Sequence, residues 1–341
     1  MFKTYMKALI CNKISPPDAL EWMDIEPPNP KTGEVQIKVM AVGVNFRDTL
    51  IIEDKYQFKA MRPFAPCGEV SGVISAIGEG VKNFKTGEAV FVEMTHGGLA
   101  EYAIAKAVDC YKMPNDIDFA TAAATSINYG TAYFGILHKG RAQSGETILV
   151  TGAAGATGLA AIKIAKALGL KVIATASSDE KLQIAIKAGA DWGFVTPRLE
   201  NNDENKKIAR DYFKEKLGDK KPDLIFDTIG GVYAEAALRC INWGGRFLVV
   251  GFTSGIPTMP LNLALVKACE IIGVFYTSYA QKFPEQHQKD LEIIFSWLKS
   301  GTITPNIDKV FDFHDAIDAL NHIKGKDNQG KTIIRIGNFN E

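Results

Sequence analysis

With 341 residues, 46% of them hydrophobic and 23% charged, the chain is long enough for two hydrophobic cores and has a globular balance. Its 39 basic and 39 acidic residues cancel, which removes the electrostatic reason to expect a nucleic-acid or anionic-membrane partner. No apolar run reaches the roughly 20 residues a membrane helix needs. Met1 to Lys7 lacks the apolar core of a secretory signal. The five cysteines (11, 67, 110, 240, 269) are scattered and never form a CxxC pair. A cytoplasmic protein is therefore expected, with neither a disulfide frame nor a thiolate metal cage.

Up to about residue 120 the pattern is that of short strands broken by turns. Val35, Ile37, Val39 and Ala41 alternate with polar or small residues, the period of a half-buried strand. Glycine turns follow at Gly78-Glu79-Gly80, Lys85-Thr86-Gly87 and Gly97-Gly98. A compact, barrel-like antiparallel domain is expected.

From about residue 145 strands alternate with helices. Thr147–Val150 reads as a strand and Ala156–Leu168 as a helix closed by Gly169. Lys171–Ala176 is the next strand, and the helix from Asp179 to about Ala188 ends at Gly189. The charged stretch 200–218 predicts a surface helix with Ile208, Tyr212 and Phe213 turned inward. Further strands are expected at Asp223–Thr228, Arg246–Gly251 and about Ile271–Phe275. Repeated strand–helix order predicts a doubly wound parallel sheet, so the fold class is α/β. The last thirty or so residues suggest no further strand–helix–strand unit and are expected to return to the first domain.

The strongest local signal is Val150-Thr151-Gly152-Ala153-Ala154-Gly155-Ala156-Thr157-Gly158, which leaves a strand and opens a helix. In the frame Ala153-x-Gly155-x-x-Gly158, Gly155 admits a pyrophosphate to the backbone, and Gly158 allows close helix packing. Ala154, Ala156 and Thr157 complete the expected cofactor loop. The competing reading is a small-residue packing loop without a ligand. The nucleotide preference should lie at the end of the second strand, where an NAD-specific fold carries a carboxylate. Here Ser177 stands there, 19 residues after Gly158, followed by Ser178 and Lys181. Two hydroxyls and an ammonium suit a 2′-phosphate, so NADPH is expected. Ser177 with Glu180 also fits a capping box, and Lys181 fits a solvated helix lysine.

Taken together, these motifs resemble the zinc-independent quinone oxidoreductases of the medium-chain dehydrogenase/reductase superfamily, nearly end to end. The resemblance is carried by Gly43-Val44-Asn45-Phe46-Arg47-Asp48-Thr49-Leu50 and by Pro63 to Val73. It continues through Asn128-Tyr129-Gly130-Thr131-Ala132-Tyr133, the glycine loop, and Phe226-Asp227-Thr228-Ile229-Gly230-Gly231. Val250-Gly251-Phe252, Gly273-Val274-Phe275-Tyr276 and Gly330-Lys331 complete it. It implies a GroES-like, partly open β-barrel domain (1–124 and 308–341), a Rossmann domain (125–307), and an active site in the cleft between them. It also implies a homodimer through the Rossmann sheet edges, near residues 262–276. Asn45 and Thr131 are then expected at the nicotinamide, Gly251 and Phe252 on its far side, and Phe275 and Lys331 among the cofactor contacts. Tyr56 matches an active-site tyrosine able to hydrogen-bond a developing oxyanion. The bland readings are a turn tie for Asn45, a rim aromatic for Tyr56, and a local charge network for Asp48 and Glu69.

Zinc-dependent relatives carry Cys at the Asn45 position and His at the Gly68 position, and neither replacement is a good zinc ligand. Cys67 reads as a packing residue and the five histidines lack ligand spacing, so no metal is expected. Without a Lewis acid, the implied reaction is hydride transfer from NADPH to a conjugated acceptor. A quinone is the leading choice. The alternative is an activated alkene such as an enone or an acrylyl or enoyl thioester, and a noncatalytic NADPH-binding structural or sensor role is a third reading. Two stretches depart from the family pattern. Val195-Thr196-Pro197-Arg198 replaces an Asn-Tyr pair, with Arg198 a substitute phosphate contact or a surface arginine. Leu50 stands where some quinone reductases have Tyr, with Arg47 nearby to suit a carboxylate or thioester.

Overall fold

The computed structural model describes residues 5–325 and 327–337. Strands β1 (Met6–Ile10), β2 (Glu21–Ile25) and β3 (Glu34–Val44) lead to helix α1 (Phe46–Ile52). Strands β4 (Glu69–Ile77), β5 (Ala89–Glu93), β6 (Tyr102–Lys106) and β7 (Cys110–Lys112) and helix α2 (Phe119–Ala123) follow. Helix α3 (Ser126–Tyr133) runs into a π-helical stretch, Phe134–Lys139. Next come β8 (Thr147–Thr151), α4 (Ala156–Ala167), β9 (Lys171–Ala176), α5 (Asp179–Lys187), β10 (Trp192–Val195) and α6 (Asp203–Leu217). They are followed by β11 (Leu224–Asp227), α7 (Gly231–Cys240), β12 (Arg246–Val249), α8 (Asn262–Lys267) and β13 (Glu270–Gly273). The chain closes with α9 (Tyr276–Lys282), α10 (Pro284–Lys299), β14 (Ile307–Asp312), α11 (Ala316–Lys324) and β15 (Lys331–Arg335). Two compact units result: one runs to Ile127 and resumes at Pro305, and the other is Asn128–Thr304.

The first unit is organised by β3. Along one edge β3 pairs antiparallel with β4; along the other it gives Glu34–Lys38 to β6 and Ala41–Val44 to β15. Register shifts at Gln36/Ile37 and Val39/Ala41 bend it between these partners. The expected alternation holds at Val35, Ile37 and Val39, which are buried while Lys38 is exposed. It stops at the second shift, because Ala120, Ala123 and Ala124 cover the other face there, against Ala41 and Ile333. One expectation needs correction. β14, α11 and β15 form a strand–helix–strand unit with parallel strands, in the very segment where no such unit was expected. Its strand β15 lies between β14 and the distant β3, a pairing that no local pattern declares.

The second unit is a six-stranded, wholly parallel sheet in the order β10-β9-β8-β11-β12-β13. Numbered from β8, the order is 3-2-1-4-5-6, the doubly wound arrangement of a Rossmann domain. Three strand ends fall short of expectation: β11 stops at Asp227, β12 at Val249 and β13 at Gly273, leaving Gly251, Phe252 and Phe275 in the loops beyond. In α6 the inward face is Ala209, Phe213 and Leu217, whereas Ile208 is 46% exposed and does not point inward as expected. The i, i+4, i+8 stripe of Ala209, Phe213 and Leu217 packs into the core shared with α7, which leaves position 208 at its edge.

Among the described residues, no helix is long and apolar enough to cross a membrane. Replacing the fully buried Phe213 by Ala is expected to cost about 3–5 kcal/mol, and Ile208→Ala less than about 1 kcal/mol. Urea unfolding checks both. Helices α9 and α10 are joined where Tyr276 Oη and His287 Nε2 lie 2.6 Å apart. Burial pushes the His287 pKa down to about 4, against the opposing pull of the Asp290 carboxylate. His287 therefore favours the fold only when neutral. Its contribution is complete above about pH 6.5, the unfolded value, and is lost as pH falls toward 4. Unfolding free energy should drop over that window by up to about 3 kcal/mol, and the drop should flatten in His287→Gln.

Candidate functional site

All but one of the second-unit residues assigned to a cofactor gather beyond the carboxyl ends of the parallel strands. Gly152–Gly158 follows β8, Ser177 and Ser178 follow β9, Gly251 and Phe252 follow β12, and Phe275 follows β13. This edge, at the switch point between β8 and β11, is where open parallel sheets bind ligands. The exception, Thr131, comes from α3, yet α3 meets the same edge. The Asn128 side-chain oxygen accepts the Thr157 hydroxyl at 2.9 Å. Gly130 lies so close to Tyr276, next after Phe275, that a Cβ there would sit 2.1 Å from the phenol oxygen.

The glycine loop is built for close approach. Gly152 takes φ +64°, and a Cβ on it would meet the Thr228 hydroxyl at 2.4 Å. A Cβ on Gly158 would strike Gly152 O at 2.4 Å, so only glycine lets α4 start this near the turn. Gly155 differs: a Cβ there meets nothing nearer than Gly152 O, at 3.5 Å. Glycine at 155 is not demanded by the protein's own packing, which fits a backbone reserved for a ligand. Gly155 is also the N-cap of α4 and supplies no side-chain cap. The first N–H donors of that helix are thus left for an anion. Around the loop, Asn128 Nδ2, Thr175 Oγ1 and Asp227 Oδ2 are buried polar atoms without a hydrogen-bond partner among the described residues. Such atoms are rare in packed cores, and here they mark the surroundings of the loop as polar.

At the nucleotide-selecting end the structure shifts one assignment. The α5 N-cap is Ser178, not Ser177: Ser178 Oγ accepts the Lys181 N–H at 3.3 Å. The Ser178 side chain also hydrogen-bonds Glu180, whose carboxyl is held below its usual range mainly by that bond. The Ser178 hydroxyl is therefore occupied in the helix start, whereas Ser177 is exposed and Lys181 half-buried.

In the first unit, Asn45 and Lys331 do come together, but in each other's hydrogen bonds. Lys331 Nζ lies 2.7 Å from Asn45 Oδ1 and 2.5 Å from Glu69 Oε2, and its side chain is 2% exposed. Asn45 Nδ2 donates to Glu69 Oε2 at 2.9 Å, and Glu69 Oε1 accepts from Ser126 Oγ and the Ile127 N–H. The ammonium expected at the cofactor is paired with a buried carboxylate, and the Asn45 amide is held by the same group. Lys331 lies in a regular strand, so a Gly-Lys motif alone does not reveal this partner. The network continues through Asp48, which accepts the Asn45 N–H at 2.7 Å. Burial raises the Asp48 pKa, with Arg47 the largest opposing influence. Arg47 is itself turned inward, 3.8 Å from Asp48 and donating to Met94 O at 3.0 Å, rather than offered as a free cation. Tyr56 packs half-buried against the first-unit core.

The zinc question has a steric answer. A Cβ on Gly68 would lie 2.0 Å from Met94 O, so no histidine fits while that loop stands. The Cys67 thiol is pushed well above its usual pKa, first by burial and then by Asp48. Asn45, Gly68 and the bound ammonium do not fit a zinc ion. Among the described residues, no cluster of His, Cys, Asp or Glu is suited to hold a metal.

Comparison with known proteins agrees with both units. The alcohol dehydrogenase GroES-like domain model matches residues 31–115, and the zinc-binding dehydrogenase model matches residues 156–294. The chain is 34% identical to a quinone oxidoreductase-like protein 2 homolog of Nematostella vectensis, over 97% of this chain and 89% of that protein. It is 36% identical to the quinone oxidoreductase of Homo sapiens, over 96% and 97% of the two chains. The crystal structure of Escherichia coli quinone oxidoreductase complexed with NADPH superimposes with a TM-score of 0.85 at 27% identity, covering 97% of this chain and 99% of that one.

The charge cluster makes its own demand. Lys331→Met leaves Glu69 buried without its cation and is expected to cost about 3–5 kcal/mol. Adding Glu69→Gln should recover much of the loss. Thermal melts of the two single variants and the double variant measure the coupling; additive losses would mean that the pair is not coupled.

Proposed function

Because the chain belongs to the zinc-independent quinone oxidoreductase family of the medium-chain dehydrogenases/reductases, we propose that it reduces a quinone with NADPH. The chain is an oxidoreductase with a GroES-like and a Rossmann unit. The observation that carries the cofactor reading is the Gly155 backbone, open to a ligand at an uncapped helix start. The NADPH complex of the E. coli relative supports it.

When bound, NADPH would supply a hydride and become NADP+, and the reduced acceptor would take up one proton from water. The residues of this chain bind and orient. The glycine loop and the α4 N-terminus take the pyrophosphate, with Ala154, Ala156 and Thr157 lining the bend. Ser177 and Lys181 take the 2′-phosphate. Phe252 and Phe275, 41% and 48% exposed beyond β12 and β13, offer apolar rings with Gly251 for the nicotinamide end. Thr131 is assigned to the nicotinamide from α3. Tyr56 is assigned a hydrogen bond to the developing oxyanion, a charge-stabilising role that needs no metal. Asn45, held by Lys331 and Glu69 at the turn before α1, is assigned to the nicotinamide with Thr131.

We assign a homodimer through β13, the sheet edge, where Leu261, Leu265 and Val266 are exposed apolar side chains. Five buried, unpaired cysteines suit a reducing compartment such as the cytoplasm.

The test is side-by-side turnover of the purified chain with a small quinone and with an enone or acrylyl thioester, followed by NADPH absorbance. Faster quinone reduction is expected. A large preference for the alkene would transfer the assignment to activated C=C bonds, and NADPH binding without consumption would remove catalysis altogether. Lys181→Ala should weaken NADPH by about 10–100-fold while sparing NADH; equal losses would contradict the 2′-phosphate assignment.

A further inference from the structure

One of the loops that depart from the family pattern is also firmly anchored. Tyr233, buried on α7, donates its hydroxyl to Pro197 O at 2.7 Å and accepts the Leu199 N–H at 3.0 Å. Just upstream, Tyr212 donates to Val195 O at 2.7 Å, and the Thr196 N–H and hydroxyl both reach Ala176 O, at 2.8 and 3.2 Å. Between the two atoms that Tyr233 holds stands Arg198, exposed and without a partner among the described residues. Its backbone is fixed on both sides, and its charge is unspent.

The location gives that charge a use. In the parallel pairing of β10 with β9, Val195 lies opposite Ala176. The chains leaving the two strands thus start side by side, one leading to Arg198 and the other through Ser177 to Lys181. Of the three groups assigned to the 2′-phosphate, the Ser178 hydroxyl is occupied at the helix cap. Ser177 and Lys181 bring one hydroxyl and one ammonium to a dianionic group. A guanidinium supplies what they lack, a planar fork that binds phosphate in a bidentate manner. An arginine whose backbone is already ordered also loses less entropy on binding.

We propose that Arg198, positioned by Tyr233, reads the 2′-phosphate and sets the preference of this chain for NADPH over NADH. The inference rests on the NADPH reading above and adds a specificity-determining residue and its positioning partner. Tyr233 acts only through the loop; its hydroxyl is fully engaged by Pro197 and Leu199.

The experiment is titration calorimetry of the full chain with NADPH, NADH, 2′,5′-ADP and 5′-AMP, the last two differing only in the 2′-phosphate. Arg198→Ala is expected to weaken NADPH and 2′,5′-ADP by about 10–100-fold, with NADH and 5′-AMP held within about twofold. Arg198→Lys should fall between, keeping charge without the fork. Tyr233→Phe keeps the ring in the core and removes only the clamp. It should weaken the two 2′-phosphorylated ligands selectively, by about 3–10-fold, a selectivity that general destabilisation would not produce. Arg198→Ala losing all four ligands equally, or none, overturns the inference. Tyr233→Phe without selective loss removes the clamp from it. If the unaltered chain binds 2′,5′-ADP no tighter than 5′-AMP, the NADPH reading itself has failed. If that preference is present and survives Arg198→Ala, only this inference has failed.

Discussion

The cofactor edge depends on one steric constraint, the absence of a side chain at position 158. A single Cβ there would press into Gly152 O and the Ala153 backbone. Without it, α4 begins directly against the turn that leaves β8, and its unpaired N–H groups point out of the carboxyl edge of the sheet. The neighbouring strands inherit their roles from this start. β9 presents the selecting residues on one side of the switch point. On the other side, β11 holds its turn through Asp227, which accepts the Thr151 hydroxyl and, more weakly, the N–H groups of Ile229 and Gly230.

The first unit solves a different problem, the stabilisation of a buried carboxylate without a metal. Glu69 is satisfied by an ammonium, an amide, a hydroxyl and a backbone N–H, all from this unit. Gly43 makes the cluster possible, since a Cβ there would collide with Ala123 O, Lys331 and Glu69. The cluster shapes the turn at Asn45 that opens α1, while Lys331 secures β15 against β3.

Much of this was legible in the sequence because local rules govern it. The glycine loop, the parallel strands and the alternation of Val35, Ile37 and Val39 follow from spacing alone. What stayed hidden depended on partners far along the chain. Lys331 and Glu69 are separated by 262 positions, and nothing in a Gly-Lys motif names a carboxylate so remote. The one-residue difference between Ser177 and Ser178 at the α5 cap, and the outward turn of Ile208, are matters of helix phase, which two adjacent serines or a charged run do not fix. The β14–α11–β15 unit stayed hidden because β15 pairs with β3, near the other end of the chain. Tyr233 carries no motif at all, and its hydroxyl acquires meaning only once α7 is laid beside the Pro197–Leu199 loop.

Hydrogen–deuterium exchange across residues 152–158, with and without saturating NADPH, tests the central claim most directly. The expected result is marked slowing at the amides of Gly155 to Gly158, as the α4 N–H groups gain an anionic partner. Unchanged exchange at that bend under conditions where NADPH is bound would contradict it, because the pyrophosphate would then rest elsewhere.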